Sequence, residues 1–130
     1  MKKIISGLLL VFAIMALVGC NANELSDKYD KDKLRSKAEE IVNDINDNNY
    51  QAIIDSGNED IKSGLSADDL KAAWEKRNGN IGAYKDISTV VYQEKKGIAV
   101  VVLIAEYEND KIQFTLSFNE NMELAGIYIK

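Results

Sequence analysis

The spacing of apolar positions changes along the chain, and each change predicts a different element. Ile4–Val18 is apolar apart from Ser6 and Gly7, behind a short basic start at Met1–Lys3. As a helix that run would span roughly 22 Å, short of the about 30 Å hydrocarbon core of a bilayer, so it predicts a cleavable export signal rather than a permanent span. Asn21–Asp32 (NANELSDKYDKD) is polar and sparsely apolar and reads as a flexible tether. Leu34, Ala38, Ile41, Val42 and Ile45 then recur at helical period, opposite Arg35, Lys37, Glu39, Glu40, Asn43 and Asp44, and predict a helix over Lys33–Asp47. Asn48-Asn49 offers a stop and a new N-cap, after which Tyr50, Ile53 and Ile54 predict a short second helix ending near Gly57. Ser66 followed by Asp69 is a variant capping box. It opens a third helix whose inner face is Leu70, Ala73, Trp74 and the stem of Arg77, and Asn78-Gly79-Asn80 ends it.

From Tyr84 the period becomes two. Asp86–Glu94, Ile98–Glu108, Lys111–Phe118 and Leu124–Ile129 predict four strands, and the short turns between them favour an antiparallel meander. In the third strand Ile112, Phe114, Leu116 and Phe118 share one face while Gln113, Thr115 and Ser117 share the other, so one face is buried and one comparatively wet. The second strand is apolar on both faces: Ile98, Val100, Val102 and Ile104 alternate with Ala99, Val101, Leu103 and Ala105. Helices on one face account for only one of these sets. The other implies a sheet curled around an interior pocket, a second subunit, or cover from neighbouring parts of the chain. The fold class is therefore α+β, with N-terminal helices packed on a curved antiparallel four-stranded sheet.

Composition narrows the chemistry. Among 130 residues there is no histidine and a single cysteine, Cys20, which excludes an internal disulfide framework, His-based triads, imidazole metal sites and a histidine pH switch. The 16 Lys+Arg and 21 Asp+Glu give a formal net charge of −5. Without a basic stripe for phosphate contacts, nucleic acid is not an expected partner.

Leu17-Val18-Gly19-Cys20, closing the apolar run, resembles a bacterial lipoprotein lipobox. The resemblance implies that the Cys20 thiol receives a diacylglyceryl group and that cleavage falls between Gly19 and Cys20. It further implies a protein held by lipid on the extracytoplasmic face of the cell membrane. The chain then divides into a signal peptide (1–19), a lipidated cysteine with its tether (20–32) and a single α+β domain (33–130). Loss of Lys2 and Lys3 takes the charge to −7, with 14 basic against 21 acidic residues.

Within the domain, Asn49-Tyr50 opens a short helix, Leu65-Ser66 precedes a helix holding Trp74, Gly82-Ala83-Tyr84 leads into a strand, and Leu124-Ala125-Gly126-Ile127-Tyr128 ends the chain's last strand. In order and spacing these words resemble the bacterial domain-of-unknown-function family 3887. The layout resembles the cystatin-like superfamily of cone-shaped domains typified by nuclear transport factor 2. Neither resemblance supplies catalytic residues. Cone-shaped relatives that are isomerases or dehydratases use a buried carboxylate with a tyrosine or histidine, because desolvation raises a carboxylate into the range useful for proton transfer.

The corresponding pocket candidates here are Glu106 and Tyr107 near the end of the second strand, with Trp74, Tyr92 and Tyr128. Neighbours on a strand face opposite ways, so Glu106 and Tyr107 share a pocket only across a bulge. Trp74, on its helix's apolar stripe, reads as a plug between helix and sheet. No cofactor or metal is expected: Asp27, Asp30 and Asp32 alternate but lack the turn glycine and terminal glutamate of a calcium loop. Gly79-Asn80-Ile81-Gly82 follows a helix and lacks the Lys-Ser/Thr continuation of a phosphate loop. The sequence thus points to a non-enzymatic binding or self-association domain, with a homodimer through the sheet face as the expected assembly. The alternative is a ligand carrier or isomerase-like enzyme using the interior of the cone.

Overall fold

The computed structural model describes residues 24–130, so the expected export signal, Gly19 and Cys20 lie outside the described residues. Four helices precede four strands: α1 (Lys31–Asn46), α2 (Tyr50–Asp55), α3 (Glu59–Gly64), α4 (Ala67–Asn78), then β1 (Tyr84–Lys95), β2 (Ile98–Tyr107), β3 (Lys111–Phe118) and β4 (Leu124–Ile129). The strands pair in chain order, all antiparallel, as the short turns require.

The helix α1 buries the predicted stripe of Leu34, Ala38, Ile41, Val42 and Ile45. It starts two residues ahead of the expected Lys33, because the Asp30 carboxylate accepts from the backbone N–H groups of Asp32 and Lys33 and so satisfies the orphan donors of the first turn. The tether is also shorter than its polarity implies. Tyr29 is only 6% exposed, and its hydroxyl donates to the Gly97 and Phe118 carbonyls, while the Ser26 N–H donates to the Glu94 carboxylate. A single tyrosine is too little apolar pattern for periodicity to register, yet it joins the fold to the β1–β2 turn.

Three helices were expected and four form. The extra one, α3, has Ile61 as its single buried residue and so no apolar period to read. It forms because the Asn58 side chain caps the Ile61 N–H and Glu59 and Asp60 sit in the first turn, where the helix dipole favours anions. The loop ahead of it is tied to the sheet by Leu124 N–H to Ser56 O and Asn58 N–H to Leu124 O. Gly57 is required there, since a Cβ would stand 2.3 Å from Ile61 Cγ2. The predicted capping box of α4 is present in both directions between Ser66 and Asp69.

In the sheet, Ala99, Val101, Leu103, Ala105 and Tyr107 of β2 join Ile112, Phe114, Leu116 and Phe118 of β3 in one cluster with the buried residues of the helices. Two register shifts in β1 put Tyr84, Ile87, Val90 and Tyr92 on that same face. Val100 and Val102 are buried but stand outside the cluster, in register with Ser117 and Thr115 on the other face. The buried core runs from Tyr29 to Ile127, and its hydrogen-bonding frame reaches out to Ser26 and Lys130. Tyr29→Ala is therefore expected to lower stability by about 3 kcal/mol in urea denaturation, the cost of truncating a buried aromatic; a true tether residue would leave the midpoint unchanged.

Candidate functional site

A large opening lies at one end of the sheet, where several elements terminate together. The C-terminal end of α1 supplies Asn46 and Asn48, and α4 supplies Trp74 and Asn78. The connection into β1 supplies Gly79–Ala83, with Tyr84 from the strand itself, and the end of β2 and its turn supply Tyr107 and Asn109. The cavity measures about 690 Å³, within the roughly 300–1,000 Å³ usual for small-molecule sites.

Its floor is aromatic. Trp74 stacks at a tilt on Tyr107 and on Phe114, with centroid distances of 6.1 and 5.9 Å, and Tyr84 meets Tyr107 edge to face at 5.4 Å. Trp74 is thus the plug its helical position predicted, and one side of it also lines the cavity. The Tyr107 hydroxyl donates to Asn46 Oδ1 at 2.5 Å, which ties the end of β2 to the last turn of α1. Asn46 Nδ2 has no hydrogen-bond partner. Asn48 holds φ +62°, a left-handed conformation that asparagine tolerates better than most residues, and its Oδ1 accepts from the Tyr50 hydroxyl.

The wall formed by Asn80–Ala83 is laced to the β2–β3 turn. Asn109 N–H donates to Ile81 O and Asn109 Nδ2 to Asn80 O, while the Glu108 carboxylate accepts from Ala83 N–H at 2.7 Å. Gly82, at φ +81°, lets this wall approach: a Cβ would lie 2.8 Å from that of Glu108. Glu108 is in this way held on backbone, and Arg77 is held by Asp110 at 3.5 Å and by Lys111 O. No side chain that carries a charge at neutral pH lines the cavity.

Of the five pocket candidates read from sequence, the cavity gathers Trp74 and Tyr107. Tyr92 shares their face but pairs with Val101, six positions along β2 from Tyr107 and so roughly 20 Å away, under the Lys31 ammonium. Glu106 faces the other side of the sheet and pairs with Lys111 at 3.6 Å, and no bulge in the β2–β3 pairing brings it round to Tyr107. Tyr128 is in register with Thr115, also on the other face. The acid–base pair that sequence could propose is therefore not assembled. Sequence reasoning passed over the five lining asparagines, because Asn46 falls inside the helix expected over Lys33–Asp47 and the other four read as helix stops or turn residues. The available signal was that all five fall where elements end on one side of a meander.

Burial pushes the Tyr107 hydroxyl up to about 12, opposed by the hydrogen bond to Asn46; burial raises Tyr84 too, with help from the Asp86 and Glu39 charges. Neither can serve as a proton donor or acceptor poised near neutrality. Above pH 10 an unfolded tyrosine ionises while folded Tyr107 keeps its proton. Its contribution to stability is thus complete below about pH 10 and is lost as pH rises towards about 12. Tyr107→Phe is expected to flatten that alkaline loss in urea titrations, and to cost about 1 kcal/mol at neutral pH through the broken hydrogen bond.

No curated protein matches the chain. The NMR structure of a protein from Ruminococcus gnavus ATCC 29149 is similar in fold: TM-score 0.72 at 22% identity, covering 82% of this chain and 96% of that one. The model of a family described as "Protein of unknown function (DUF3887)" matches residues 38–127, from α1 through to β4. The chain belongs to that family.

Proposed function

We propose that the chain is a lipoprotein anchored through Cys20 on the extracytoplasmic face of a bacterial cell membrane, and that its domain works by binding rather than by catalysis. The observation that carries the binding half is the lining of the cavity. It offers amide and backbone hydrogen-bonding groups over an aromatic floor, with no carboxylate, ammonium or guanidinium, and its tyrosines are held protonated. Such a surface recognises and does not transfer protons. An isomerase-like alternative needs a carboxylate in the cavity, and Glu106 faces away from it.

The anchoring half rests on Ile4–Val18 and Leu17-Val18-Gly19-Cys20. Two acyl chains hold a protein stably at about 0.8 kcal/mol per buried methylene, whereas a processed chain at −7 gains nothing from anionic headgroups. No helix among the described residues is long and apolar enough to cross the membrane. A second reading, self-association through the sheet's other face, is favoured by Val91, a large apolar side chain 42% exposed and in register with Val102.

Two measurements test these readings. Cys20→Ser is expected to move the protein from the detergent phase to the aqueous phase on partitioning; unchanged partitioning would remove the anchor. Light scattering is expected to show a dimer that Val91→Lys dissociates if the second reading holds, and a monomer at every concentration removes it.

A further inference from the structure

The cavity's chemistry narrows its ligand class, and this step rests on reading it as a binding site. In a chain with 28% charged residues, none of the twelve residues lining the cavity is charged, and five are asparagines: Asn46, Asn48, Asn78, Asn80 and Asn109. The charged neighbours Glu108 and Arg77 are held on backbone and on Asp110. An ionised ligand entering here would shed water without meeting a counter-charge, and so is disfavoured. A wholly apolar ligand would instead strand the amides, each of which loses its water without a partner.

What remains is a neutral ligand dense in groups that both donate and accept. An asparagine amide presents a carbonyl acceptor beside an NH₂ donor, matching two adjacent hydroxyls that each do both. Asn46 lines the cavity from below, its Oδ1 engaged by Tyr107 and its Nδ2 buried in the wall. The aromatic floor of Trp74, Tyr84 and Tyr107 suits the apolar C–H face that a pyranose ring turns away from its hydroxyls. We propose that this cavity is a binding site for a neutral saccharide, held by the asparagine amides over the aromatic floor.

The test is a ¹H–¹⁵N NMR titration of the full chain in phosphocholine micelles, whose headgroup is not a sugar. Cellobiose and N,N′-diacetylchitobiose are the neutral probes, and galacturonate and glucosamine the charged counterparts. At least one neutral probe is expected to saturate, with millimolar affinity, shifting the side-chain amides of Asn46, Asn48 and Asn80 and the Trp74 indole. The affinity is expected not to change with ionic strength, since no charge is being screened. Asn80, exposed and outside the core, gives variants that keep the fold: Asn80→Ala and Asn80→Asp are each expected to weaken binding about tenfold.

A charged sugar bound as tightly as its neutral counterpart, or shifts that saturate away from the cavity, would overturn the assignment. An uncharged peptide probe, acetyl-trialanine amide, separates the two levels of the reading. If it saturates the same residues while the saccharides do not, the cavity is a binding site and only the ligand class falls. If no probe perturbs these residues, both fall.

Discussion

The hydrogen bond from the Tyr107 hydroxyl to Asn46 is the contact on which the arrangement at this end of the molecule depends. A tyrosine 5% exposed at the last position of a central strand brings a polar group into the interior, and that group must find a partner or cost the fold its desolvation. Asn46, the last residue of α1, supplies the acceptor. Around that pair Trp74 arrives from α4, Phe114 from β3 and Tyr84 from β1, so that helices and sheet are joined through one aromatic group. The Tyr29 hydroxyl does a similar task at the opposite end of β2, bonding to the β1–β2 turn and to the end of β3.

Because the joint is made of ring faces and a neutral amide, the surface above it is neutral too. Charges are plentiful nearby, but they are spent on one another or on backbone: Glu106 with Lys111, Arg77 with Asp110, Glu108 with the Ala83 amide. The element ends that meet here leave their turn residues around the opening, and the turn residues are largely asparagines and glycines. A cavity of this kind is thus a by-product of how the elements terminate, and its chemistry follows from which residues terminate elements well. That link between capping and recognition ties the fold to the function proposed for it.

Much of the fold was legible because its core obeys simple periods. The stripe of α1 from Leu34 to Ile45, the Ser66–Asp69 box and the four strands each stand where period and caps place them. The helix α3 was not legible, since one buried isoleucine makes no period and only its caps define it. Nor was the start of the fold, where Tyr29 sits alone in a polar stretch. The site was half legible. Trp74 and Tyr107 stand out as large aromatics on buried faces, but Tyr92, Glu106 and Tyr128 were grouped with them by strand membership, which does not say at which end or on which face a residue lies. The asparagines were invisible as a set, because only the three-dimensional meeting of four element ends makes them neighbours.

The central claim is that Tyr107 and Asn46 act as one unit supporting this end of the fold. A double-mutant cycle with Tyr107→Phe, Asn46→Ala and the pair, read by urea denaturation, measures it directly. The two residues should be coupled by about 1 kcal/mol or more, the double variant losing markedly less than the two single variants together. Additivity to within about 0.3 kcal/mol would show that the two side chains merely lie side by side, and would contradict the account.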